Sequence, residues 1–110
     1  YISDRISDMV ISGGVNIYPA EIENVLVSMP GVRDCAVFGV PDREFGERLI
    51  SVIDASQPLA SEAVSDFLRA RVSGYKVPRE IIFASNLPRE DSGKIKKRLL
   101  RDAFLAGELR

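Results

Sequence analysis

Val32-Arg33-Asp34-Cys35-Ala36-Val37-Phe38-Gly39-Val40 carries an unbroken apolar run between Pro30-Gly31 on one side and Pro41 on the other. A short apolar run bounded by such breakers reads as a buried strand. Toward the C-terminus, Pro41 to Gly46 reads as a loop and Leu49 to Ala55 as a second strand of the same type. Pro58 breaks the chain, and Ser61 is the expected N-cap of a helix bearing Val64, Phe67, Leu68 and Val72, which Gly74 is expected to end. Glu80 to Ala84 supplies a third core strand through Ile81, Ile82 and Phe83. A polar loop, Asn86 to Gly93, then leads to a last helix bearing Ile95, Leu99, Ala103 and Phe104. Toward the N-terminus, Pro30-Gly31 closes a helix whose apolar face is Ile22, Val25, Leu26 and Met29. Pro19 suits its first position, and Glu21 and Glu23 fall where the helix dipole favours negative charge. Before it, a short β-like segment, Ser3 to Ile6 and then Met9 to Ile11, is followed by Gly13-Gly14, a turn signal. The pattern predicts an α+β fold: a small three-stranded sheet flanked by helices, with an N-terminal β-hairpin. It does not fix the strand order.

The 110 residues suit one compact domain, and their core is too modest to enclose a large substrate as well. A sizeable ligand is therefore expected to be shared with another domain or partner. Cys35 is the only cysteine and there is no histidine, so an internal disulfide, His/Cys metal sites and Ser-His triads are excluded. Within its apolar run, Cys35 reads as a buried structural thiol. No apolar stretch approaches the roughly 20 residues that cross a bilayer, and nothing reads as a signal peptide; the expected location is cytoplasmic. The net charge is −1, but residues 1–68 carry a balance of −7 and residues 69–110 one of +6. That asymmetry predicts either a solvated basic face or a C-terminal part that meets an anion.

Two glycine-containing loops stand out. The first lies in Asp4-Arg5-Ile6-Ser7-Asp8-Met9-Val10-Ile11-Ser12-Gly13-Gly14-Val15-Asn16-Ile17-Tyr18-Pro19-Ala20-Glu21-Ile22-Glu23; the second in Leu87-Pro88-Arg89-Glu90-Asp91-Ser92-Gly93-Lys94-Ile95. Singly, one is a turn before a helix and the other a loop with a surface lysine. Neither has the spacing of a P-loop, because Ser92-Gly93-Lys94 lacks the upstream glycine and follows Pro88 instead. In this order and at this separation, however, they resemble the C-terminal domain of the adenylate-forming superfamily of acyl-CoA synthetases, luciferases and peptide-synthetase adenylation domains. Gly39-Val40-Pro41-Asp42 through Phe45-Gly46-Glu47, and Tyr75-Lys76-Val77-Pro78, are similar to the acyl-CoA synthetase branch, with the wording of residues 18–23 leaning toward fatty-acid ligases. The resemblance spans essentially the whole chain.

The resemblance implies a division into a hinge-proximal segment, residues 1–8, and a C-terminal lid domain, residues 9–110, whose partner is a large N-terminal domain of the same enzyme. It implies ligation of a carboxylic acid to CoA through an acyl-adenylate, with ATP, Mg2+ and CoA used by the full enzyme and none held by this domain alone. Lys94 matches the catalytic lysine, which approaches the substrate carboxylate and the α-phosphate. There an ammonium neutralises charge that builds up as phosphorus is attacked. Gly93 lets that loop approach closely. Arg5 matches a nucleotide-binding arginine. Ser7 falls at the hinge, where the family usually has Asp or Lys, and Val15 is a second departure. Gly13 and Gly14 match the loop that lines the pantetheine tunnel. Phe45, Tyr75 and Arg79 are the candidates for the CoA nucleotide, through ring stacking and phosphate pairing, with Arg69, Arg71 and Lys76 as further phosphate contacts. No metal ligand is assigned to the chain.

Other readings stay open at this level. A ligase that loads the phosphopantetheine of a carrier protein would share both loops, and a stand-alone binding module for RNA or protein would share the fold. The basic run Lys94 to Arg101 invites a nucleic-acid target, but Leu99, Leu100 and Phe104 ask for a core, and Phe38 and Phe83 are expected to be buried where an RNA-binding sheet exposes its aromatics. No nucleic-acid target and no transmembrane segment are expected. Peripheral membrane contact by the full enzyme stays compatible with the sequence.

Overall fold

The computed structural model describes residues 9–108 except Phe45, Ser73, Asn86 and Lys94, and at Tyr75 the backbone alone. The chain opens with an antiparallel hairpin of β1 (Val10–Ser12) and β2 (Val15–Ile17), closed by the pair Ser12 and Val15. Gly13 and Gly14 between them have φ of 59° and 81°. Two positive φ values in a two-residue loop are the mark of a type I′ turn, which side chains resist and glycine accepts. Helix α1 (Pro19–Leu26) follows, with Pro19 in its first turn and Ile22 and Leu26 fully buried one turn apart.

The sheet comes next. Strands β3 (Val32–Asp42) and β4 (Gly46–Ala55) form a long antiparallel hairpin, and β5 (Glu80–Phe83) lies parallel to β4 on its other side, so β4 is central. A parallel neighbour needs a crossover, which α2 (Ser61–Arg69) and a short 3-10 turn (Gly74–Lys76) supply. Helix α3 (Lys97–Leu105) ends the fold. One face of the sheet packs under the hairpin, α1 and α2 through Val10, Ile22, Leu26, Cys35, Val37, Val64 and Leu68. The other packs under α3 through Ala36, Phe38, Val40, Ile82, Leu87 and Leu100. Coverage on both faces explains why Cys35 to Val40 reads as a continuous apolar run rather than an alternating one. Burial, and next the carboxylates of Glu23 and Asp34, push the Cys35 thiol up to about 12, so the residue is a packing group.

Strand β3 is an edge, and three of its outward backbone groups are met by side chains. The Cys35 N–H donates to Asp34 Oδ1 at 3.0 Å, the Val37 N–H to Glu23 Oε2 at 2.8 Å, and Arg101 Nε donates to the Gly39 carbonyl at 2.9 Å.

The expected fold class and the three core strands are present, with several local corrections. Pro41 and Asp42 extend β3 and Gly46 opens β4, so the loop expected over Pro41–Gly46 shrinks to a turn in which the Glu44 N–H donates to Asp42 Oδ1 at 2.7 Å. Proline is tolerated there because position 41 turns its missing N–H to the open edge. The N-cap of α2 is Ala60 rather than Ser61, since Ala60 is extended and its carbonyl accepts the Val64 N–H. That helix ends at Arg69, not at Gly74, because the Leu68 carbonyl accepts from both Arg71 and Val72 and tightens the last turn. Ile95 precedes α3 and bridges to Arg89 instead. The inward stripe of α3 follows positions 97, 100, 101 and 104, which leaves Leu99 50% exposed, while Phe83 at the end of β5 is 37% exposed. Phe38 is buried as expected.

Candidate functional site

The hairpin is fixed to the sheet by a close approach. A Cβ on Gly39 would stand 2.8 Å from a methyl of Val10, closer than nonbonded carbons come, and 3.2 Å from Glu47 Oε2, a tight contact. The same Glu47 carboxylate accepts the Ile11 N–H at 3.0 Å. Gly39 and Glu47, both within the stretch that resembles acyl-CoA synthetases, thus seat the turn that carries Gly13-Gly14.

Beside that turn lies a cleft of about 570 Å³, lined by Ser12, Gly13, Val15, Ser65, Arg69, Gly74, Val77, Pro78 and Arg79. Its far wall is the 3-10 turn, held to α1 by Lys76 Nζ at 2.6 Å from Glu21 Oε1. The Arg79 N–H donates to the Leu49 carbonyl at 2.9 Å, which sets where the β5 segment enters. Gly13 and Arg79, singled out from opposite ends of the sequence, line this one cleft, and Tyr75 has its backbone in the 3-10 turn of the wall. Gly14 is the other half of the turn; a Cβ there would meet nothing within 4 Å, so its φ of 81°, not crowding within this domain, is what requires glycine. Among the further arginines and lysines, Arg69 lies on the cleft and pairs with Asp66 at 2.7 Å. Arg71 stacks 3.7 Å above the Phe67 ring and donates to the Phe67 carbonyl. Arg5, Ser7, Phe45 and Lys94 lie outside the described residues, as does the Tyr75 side chain.

The second glycine loop is built on a buried anchor, Leu87, which is 8% exposed. Arg89 and Ile95 pair across the loop, the Lys96 N–H donates to the Pro88 carbonyl at 2.8 Å, and Gly93, with φ of 92°, donates its N–H to the Glu90 carbonyl at 2.8 Å. The Arg89 guanidinium donates through one nitrogen to the Gly93 carbonyl and through the other to the Asp34 carboxylate. Just beyond, Lys97 Nζ sits 2.8 Å from Glu23 Oε2, the oxygen that also accepts the Val37 N–H. Asp34, Glu23, Glu47 and Arg89 were not among the residues predicted to matter. Glu23, Glu47 and Arg89 do lie within the motif stretches quoted above, whereas Asp34 lies only in the strand run. The uneven charge of the two halves is resolved here too: Glu21, Glu23 and Asp34 of the acidic half meet Lys76, Lys97 and Arg89 of the basic half.

The two loops occupy different sides of one strand. Gly39 faces Val10 on the hairpin side of β3, the side of Cys35 and Val37, whereas Asp34 alternates with Ala36 and Phe38 toward Leu87 and α3. Positions 34 and 39 are also about 17 Å apart along an extended chain. The Gly13-Gly14 turn and the Gly93 loop are therefore displaced along the strand and point to opposite faces.

Fold and loop placement define a small mixed-sheet α+β domain bearing one glycine turn on each face. Residues 21–94 match the family model of the AMP-binding enzyme C-terminal domain. The chain is 45% identical over 107 residues to a long-chain-fatty-acid–CoA ligase of Mycobacterium tuberculosis, covering 96% of this chain and 21% of that protein. It is 48% identical over 107 residues to a feruloyl-CoA synthase of an Amycolatopsis species, covering 94% and 22%. A solved Mycobacterium tuberculosis fatty acyl CoA synthetase superposes with a TM-score of 0.88 at 41% identity, over 94% of this chain and 21% of that one. The chain thus spans about a fifth of the length of the curated relatives it matches. It belongs to the AMP-binding enzyme C-terminal domain family, in the company of acyl-CoA ligases.

Proposed function

We propose that this chain is the swinging C-terminal lid of an ATP-dependent acyl-CoA ligase, working against a large N-terminal domain that holds the acid and the nucleotide. In the first half-reaction a carboxylate oxygen attacks the α-phosphorus of ATP, a P–O bond breaks, and acyl-adenylate and pyrophosphate result. Lys94 is the residue assigned to that step, its ammonium offsetting charge on the carboxylate and the non-bridging oxygens. In the second, the CoA sulfur attacks the adenylate carbonyl, AMP leaves and the thiol proton passes to solvent. Gly13 and Gly14 are assigned to the passage for the thiol arm, with Arg79, Tyr75 and Phe45 toward the CoA nucleotide, Arg5 toward the ATP-derived nucleotide and Ser7 at the pivot. ATP is expected as its magnesium complex.

The observation that supports this reading most is the placement of the two glycine loops on opposite faces of β3. A rigid body so built cannot offer both loops to one reaction centre at once, and serves two consecutive steps only by turning. The relatives' names, a fatty-acid ligase and a feruloyl-CoA synthase, agree on CoA as acceptor and differ in the acid, which fits an acid pocket outside this domain. In the full-length enzyme, Lys94→Ala is expected to slow pyrophosphate release by roughly 10²–10³-fold while thioester formation from preformed acyl-adenylate continues. Unchanged pyrophosphate release would overturn the assignment. Formation of thioester with free CoA excludes an obligatory carrier protein as acceptor.

A further inference from the structure

We propose that Asp34 and Arg89 form a positioning pair that holds the Pro88–Lys96 loop in register for adenylation, acting through Arg89's grip on both sequence neighbours of Lys94. The proposal rests on the ligase reading of that loop. Gly93 is gripped by its carbonyl, which accepts from Arg89 Nη1, and Ile95 by the bridge to the Arg89 backbone. Asp34 is itself oriented: its Oδ1 accepts the Cys35 N–H at 3.0 Å, and its other oxygen accepts from Arg89 Nη2. The carboxylate belongs to β3, whose following residues Cys35 to Phe38 are buried in the two core clusters, so the clamp ties the loop to the sheet.

Two features argue that the pair positions rather than merely stabilises. The Arg89 side chain is 47% exposed and that of Asp34 19%, and an ion pair with one partner so open to water adds little to folding stability. Gly93, for its part, has its N–H held within the loop by the Glu90 carbonyl, whereas its carbonyl is held by Arg89, whose other nitrogen reaches β3. A forked guanidinium presents separate nitrogens in a fixed plane, one to the carboxylate and one to the carbonyl, whereas an ammonium must reach both from a single nitrogen.

The test uses the full-length ligase that carries this domain, with whichever of hexadecanoate, ferulate and 2-succinylbenzoate the unmodified enzyme turns over fastest. Adenylation is followed as pyrophosphate release, and thioester formation is started from preformed acyl-adenylate and CoA. Arg89→Ala and the isosteric Asp34→Asn are expected to slow adenylation on the order of 10²-fold, the cost of misplacing a reacting group by an ångström. Thioester formation and melting temperature are expected to stay as they were, and Arg89→Lys to recover only part of the adenylation rate. Equal losses in both half-reactions, or none in either, overturn the proposal; Asp34→Asn keeps an acceptor for the Cys35 N–H and so separates positioning from folding. Lys94→Ala, run in parallel, tells the two readings apart. If it abolishes adenylation while Asp34→Asn and Arg89→Ala do not, the positioning pair alone fails; if it too is silent, the ligase reading of the loop has failed.

Discussion

Cys35 shows how far a side chain's surroundings can change its chemistry. Its thiol is buried, faces the Glu23 carbonyl at 3.7 Å, and is pushed from 9.0 up to about 12, first by desolvation and then by the Glu23 and Asp34 carboxylates. The sign follows from comparing the folded and unfolded chains. Above pH 9.0 the unfolded thiol loses its proton while the folded one keeps it, so stability contributed by the neutral thiol is full below pH 9.0 and declines as pH rises toward 12. Denaturation of the native protein should therefore become easier above pH 9.0 than that of Cys35→Ala, referenced to their difference at neutral pH. Thiol reagents should leave the folded protein unlabelled at neutral pH. The sequence was readable here, because an isolated cysteine inside Ala36-Val37-Phe38 has few places to go but the core. It was mute about Asp34 and Arg89, which meet across 55 residues of chain. Charge attraction leaves no periodic trace, and nothing in the vicinity of either residue announces the other.

At the scale of elements, Glu23 does more than cap a strand. One carboxylate oxygen accepts the Val37 N–H and pairs with Lys97, so α1, β3 and α3 meet at a single atom. Glu23→Ala leaves the Val37 amide unpaired on the β3 edge and is expected to lower stability by about 1–3 kcal/mol in denaturant titration. Glu23→Gln, whose amide oxygen can still accept, should lose a smaller share. Helices and strands themselves were largely legible: Ile22 and Leu26 sit one helical turn apart, and Leu49 to Ala55 form a strand inside β4. Their neighbours were not. An apolar run such as Ile81-Ile82-Phe83 says that it is a strand but not that it lies parallel to β4. Boundaries moved where a backbone hydrogen bond, rather than a side-chain preference, had the last word, as at Ala60 and Leu68.

On the scale of the whole molecule, both glycine loops are fastened to one sheet, one through Glu47 and the other through Asp34. The cleft beside Gly13 is open and its walls come from turns and α2. Purified alone, residues 1–110 should fold cooperatively yet release no pyrophosphate from ATP and a fatty acid, a result that calorimetry and a coupled assay can establish together; turnover by the isolated domain would contradict the division of labour proposed above. The two-loop layout was visible in the sequence as spacing. Its decisive property, the separation onto opposite faces, emerged only from the register of β3.

That strand has one more consequence. Its flank already engages Asp34, Glu23 and Arg101 at Cys35, Val37 and Gly39, so a foreign strand adding itself there would have to displace them, which discourages the usual route by which an open sheet sticks to its neighbours. For the swinging lid proposed above, such a flank works against pairing through that edge between one engagement and the next.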